Sequence, residues 1–77
     1  MRTFVRNNAI VTLTELQEPD FFQIWYEKYI IKDGRTYLVD TYSYIDTPID
    51  KVIEILIQNG YTDITLYGYT EGDQYNV

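Results

Sequence analysis

The sequence predicts a small α+β domain: a mostly antiparallel sheet covered on one face by a single amphipathic helix. Three observations carry that expectation. One segment, Ile49 to Gln58, has helical periodicity between a start and a stop signal. Two tyrosine-rich, β-branched runs flank Asp33-Gly34, a hairpin turn signal. And 77 residues with 17% aromatic content suffice for one core without disulfides, since the chain contains no cysteine.

In chain order, Met1 to Asn8 begins with a basic residue but lacks the apolar core of a signal peptide, and no element is assigned to it. Ala9 to Leu16 alternates apolar residues with threonine and ends before Glu18-Pro19-Asp20, which reads as a strand followed by a turn. Phe21 to Ile31 and Thr36 to Ile45 form the hairpin. A two-residue turn in an unbroken ladder would set Glu27 directly opposite Asp40, an unfavourable like-charge pair. A three-residue loop instead sets Glu27 opposite Val39 and Tyr29 opposite Tyr37, and this register is expected.

Thr47-Pro48-Ile49-Asp50 reads as a helix start, with a threonine cap, proline at the first helical position and a carboxylate three residues after the threonine. Ile49, Val52, Ile53 and Leu56 then form one stripe, widened by Ile55 and Ile57. Asn59-Gly60 is the stop, glycine being the residue that most cheaply turns left-handed. Ile64 to Tyr69 reads as a last strand, giving the order β-β-β-α-β. The whole chain, 1–77, is expected to be one domain whose tail, 71–77, frays.

The formal charge of −6 is unevenly distributed. Residues 1–39 carry five acids and five bases, whereas residues 40–77 carry seven acids against Lys51 alone. Nucleic-acid binding needs lysine and arginine to displace counterions, so no direct contact with nucleic acid is expected. A protein with a basic surface would instead be steered towards the acidic half. No stretch approaches the length of an apolar membrane span, so no membrane partner and a cytoplasmic location are expected.

The chain has neither histidine nor cysteine, which removes imidazole- and thiol-based nucleophile systems and most transition-metal sites. The four glycines stand apart, so no phosphate loop is present. Of the carboxylates that could pair for acid–base work, Asp46 precedes the helix cap and Asp50 serves it. The expectation is therefore no enzyme and no cofactor. What remains is tyrosine beside carboxylate in the C-terminal half. The residues expected to meet a partner are Asp50, Glu54, Tyr61, Asp63, Tyr67, Tyr69, Glu71 and Asp73.

Phe22-Gln23-Ile24-Trp25-Tyr26-Glu27 followed by Asp33-Gly34 resembles the antiparallel substrate-side insertion of class I S-adenosylmethionine-dependent methyltransferases. The Thr47-Pro48 start, the helix and Gly60-Tyr61-Thr62-Asp63-Ile64-Thr65-Leu66-Tyr67-Gly68 resemble the late helix and penultimate strand of those enzymes. The likeness spans roughly residues 20–70. The glycine-rich loop, the acidic ribose-binding residue and the closing antiparallel strand have no counterpart, so no catalytic or cofactor residue is carried over. The resemblance implies a detached portion of such a protein that binds no S-adenosylmethionine.

Two functions follow as expectations. The first is a non-catalytic interaction domain that holds a protein partner or a second copy of itself. The second is a small acidic inhibitor, of the kind mobile elements carry, whose carboxylates mimic nucleic acid in a basic cleft.

Overall fold

A computed structural model describes residues 1–65. The expected fold class is the one found: one helix on a five-stranded antiparallel sheet. The strands are β1 (Arg2–Arg6), β2 (Ala9–Gln17), β3 (Phe22–Lys32), β4 (Arg35–Ile45) and β5 (Thr62–Asp63). The helix, α1 (Ile49–Gln58), joins β4 to β5, and the strands lie in the order β4-β3-β2-β1-β5. The helical crossover thus runs from one edge of the sheet to the other.

The first strand is an addition to the expected order. β1 pairs with β2 through the two-residue turn Asn7-Asn8, with Asn7 left-handed at φ 53°. Its two arginines hide a short apolar segment whose Phe4 is completely buried. The expected last strand, Ile64 to Tyr69, is not found at that position: the short β5 lies just before it and pairs with β1, Ile64 and Thr65 are not strand, and residues 66–69 lie outside the described residues. The expected fraying tail, 71–77, lies there too.

The hairpin register corrects one expectation. The turn is the two-residue type, with Asp33 at φ 53° and Gly34 at φ 75°, as type I′ geometry requires. Lys32 faces Arg35, and the ladder runs regularly to Tyr29 opposite Leu38. A bulge at Val39 then shifts the register, so Asp40 faces Lys28 and Glu27 faces Thr41. The like-charge pair is avoided, as the sequence demanded, but by a bulge in the strand rather than by a longer loop. Because side chains alternate across a strand, this one extra residue also places Tyr42 and Tyr44, rather than Thr41 and Ser43, on the helix side.

The helix start is corrected as well. Pro48, with extended backbone (φ −60°, ψ 138°), is itself the N-cap, and no side chain caps the helix. The Thr47 hydroxyl instead donates to the Ile45 carbonyl (3.2 Å), so the expected capping box does not form. Asp46 takes a left-handed turn and its carboxylate accepts the Phe22 N–H (3.2 Å), closing the open end of the β3–β4 pair. At the other end the expected glycine stop is present. Gly60 (φ 87°) donates to Ile57 O and Tyr61 donates to Leu56 O, both at 3.0 Å, which is a Schellman ending.

The core lies between the helix and the sheet. Phe4, Val11, Leu13, Ile24 and Val52 are fully buried, with Leu56 and Tyr61 nearly so. Ile49, Val52, Ile53 and Leu56 all face this cluster, as the helical stripe predicts. Ile55 and Ile57, read as widening the apolar face, are 43% and 48% exposed.

Candidate interaction surface

The sheet has two faces of different character, and the register assigns each residue to one of them. On the helix side, α1 together with β3 and β4 lines an open groove of about 440 Å³. Tyr26, Tyr42, Tyr44 and Tyr61 form its walls, with Arg6, Lys28 and Asp40 among its polar groups. Tyr44 meets both Tyr26 and Tyr42 edge to face, with centroids 6.4 and 4.7 Å apart. Burial, followed by the neighbouring phenols and Asp40, pushes the Tyr26 and Tyr44 hydroxyls above their ordinary pKa, so both are neutral donors. The Arg6 guanidinium lies 4.6 Å from the Tyr61 ring centroid and donates to Asn59 O (2.8 Å). Arg6 thus ties the helix end to β1.

The opposite face is different. Its cross-strand rows are Val5–Ile10–Tyr29–Leu38, Thr3–Thr12–Glu27–Thr41, Thr14–Trp25–Ser43 and Leu16–Gln23–Ile45. Among the described residues no helix or strand covers it. Glu27 is the single formally charged residue in these rows. Its carboxylate accepts the Tyr29 hydroxyl (2.9 Å), which together with burial raises the Tyr29 pKa. By contrast Arg2, Arg6, Glu15, Lys28, Arg35, Asp40 and Asp63 all fall on the helix side. Leu16, Leu38 and Ile45 are 41–53% exposed at the rim, while Trp25 and Tyr29 in the middle are half-buried.

No protein-family model matches the chain, and no curated protein or solved structure is detectably similar to it. Its surfaces are therefore read from their chemistry alone. Among the described residues no helix is long and apolar enough to cross a membrane, and no three acidic side chains gather into a metal-sized cluster.

The sequence-predicted contact residues do not converge on one place. Asp50 and Glu54 are exposed on the outer side of the helix. Tyr61 is 6% exposed and belongs to the core, with part of its ring reaching the groove. Asp63 is salt-bridged to Arg2 and accepts the Thr65 N–H (3.0 Å), so it joins β5 to β1. Tyr67, Tyr69, Glu71 and Asp73 lie outside the described residues. Sequence reasoning missed Trp25 and its row. The available signal was β3 itself, where Ile24-Trp25-Tyr26 and Tyr29-Ile30-Ile31 place apolar or aromatic side chains on both faces of the strand.

Asp63 supplies a pH-dependent part of the stability. Partial burial raises its pKa, but hydrogen bonds from Arg2 and Thr65 outweigh this and hold it below its ordinary 3.8. A carboxyl with a lowered folded pKa stabilises the fold above its unfolded value and loses that contribution as pH falls through the folded one. Asp63→Asn is therefore expected to lower the urea midpoint at pH 7. The gap from the parent chain should narrow as pH falls below about 3.8. A gap of constant size across that range would show that the ionised form contributes nothing.

Proposed function

We propose that this chain is a non-catalytic protein-interaction domain that binds through the uncovered face of its sheet. The observation that carries the reading is the segregation of charge. A chain with 23% charged residues keeps all but Glu27 off the rows that carry Trp25, Tyr29, Leu38 and Ile45. Depletion of charge with enrichment of aromatic side chains is the compositional mark of an interface centre. The face mixes Val5, Ile10, Leu16, Trp25, Tyr29, Leu38 and Ile45 with uncharged threonine, serine and glutamine, a composition suited to being covered by a partner. Descent from the substrate-side segment of a methyltransferase is part of the same proposal and rests on the likeness of residues 20–70.

The test is cross-linking from a photoreactive amino acid at position 25 or at position 54, in the cells that make the protein. Cross-links to protein from position 25, with few from position 54, are the expected result. Cross-links from position 54 alone would overturn the reading.

They would favour a second reading, an acidic inhibitor that binds a basic cleft. The exposed Asp50 and Glu54 motivate it, since Asp63 is the single acid held in a salt bridge among the described residues. Binding of that kind weakens steeply with salt.

A further inference from the structure

Resting on that reading, we infer that the partner on the uncovered face is a second copy of this chain, packed face to face about a two-fold axis into a sandwich of two sheets. Three features lead there. First, β3 reads as a strand covered on both sides: Ile24 and Tyr26 face the helix side, while Trp25, Tyr29 and Ile31 point the other way. One helix covers one side, and the second side needs a cover of similar character.

Second, the size fits. Three strands contributing seven or eight residues each and β1 five, spaced about 4.8 Å with about 3.3 Å per residue, give a flat footprint of roughly 410–460 Å². Projecting Trp25, Tyr29, Leu38 and Ile45 side chains bring the accessible area towards the about 800 Å² per partner of a standard interface. A lone helix, about 10 Å wide, would cover half the width of such a face. A second sheet covers all of it, since sheets stack about 10 Å apart with their side chains interleaved.

Third, charge permits it. Each copy carries −6, which opposes self-association, but among the described residues only Glu27 contributes on this face, and its carboxylate is already engaged by Tyr29. A two-fold axis brings like rows together, so a face nearly free of charge can meet itself without charge repulsion. The competing self-contact, β4 pairing edge to edge, is guarded. The Val39 bulge and the Asp40 carboxylate sit mid-strand, the devices that protect exposed edges.

Sedimentation equilibrium of the full chain, from low to high micromolar concentration at about 0.05 and about 0.5 M salt, tests the inference. A monomer–dimer equilibrium is expected that holds or tightens as salt screens the two negative copies. Leu38→Glu and Ile45→Glu replace side chains that are 53% and 51% exposed in the monomer, so both should fold. Each is expected to weaken dimerisation at least about tenfold, the scale of a truncated interface anchor. Tyr42→Glu, also on β4 but on the helix side, should leave the dimer intact. Equal weakening by Tyr42→Glu would assign the contact to the strand edge and overturn the face-to-face arrangement. A strict monomer at the highest concentration would overturn self-association altogether. If position 25 then still cross-links to a different protein, the interaction reading survives without the dimer; if it cross-links to nothing, both fail.

Discussion

Phe4→Ala is expected to destabilise the chain by about 3–5 kcal/mol, a large share of its total stability. Phe4 is completely buried and is the only residue of the five-residue β1 with that degree of burial. It faces Val11 on one side and Asp63 on the other, so its ring sits where β1 joins the sheet centre to β5. Truncation leaves a cavity under the helix that a short strand cannot close, and cavity and transfer costs add. A domain of this size has a total stability of only about 4–12 kcal/mol. Urea unfolding followed by circular dichroism at fixed protein concentration checks this, with Phe4→Leu as the milder comparison. A loss below about 1 kcal/mol for Phe4→Ala would mean that β1 is not part of the cooperative core.

Thr12→Val should act in the opposite direction, stabilising the protein by about 1 kcal/mol. Thr12 lies in the middle of β2 on the uncovered face, 9% exposed, and its hydroxyl has no hydrogen-bond partner among the described residues. A buried hydroxyl without a partner carries its full desolvation penalty, whereas valine has the same shape and the same preference for strands. Folding therefore gains by removing the oxygen and loses no packing. The readout is the thermal midpoint at a concentration low enough to keep the chain monomeric, because association would raise it independently. A lower midpoint for Thr12→Val would show that the hydroxyl has a partner after all.

These two positions show what can and cannot be read from one sequence. The helix was legible because its signals are local: a proline at its start, an apolar stripe and a glycine stop all lie within a dozen residues. Even there, Thr47 looked like the cap while Pro48 holds that position, since both choices satisfy the same spacing. The hairpin was legible from Asp33-Gly34, and the conflict between Glu27 and Asp40 was correctly seen as something the fold must resolve. How it is resolved was not legible, because a longer loop and a bulge each move Asp40 one residue away from Glu27, in opposite directions, and either removes the conflict. β1 was hidden because its one indispensable side chain, Phe4, is flanked by arginines.

The candidate surface was least legible. Tyr61 and Asp63 looked like contact residues from composition, yet one is core and the other joins two strands. The rows around Trp25 combine residues from four strands and exist only once every register is known.

The Val39 bulge also makes β4 unequal in its response to insertions and deletions. It holds one spare residue. If a single codon were lost anywhere from Thr36 to Thr41, the ladder could close the bulge and keep Tyr42 and Tyr44 beside the helix. A gained codon finds no such reserve: the strand must bulge twice or turn its tyrosines to the other side. Lineages of this chain should therefore vary the length of this hairpin arm by shortening it far more readily than by lengthening it.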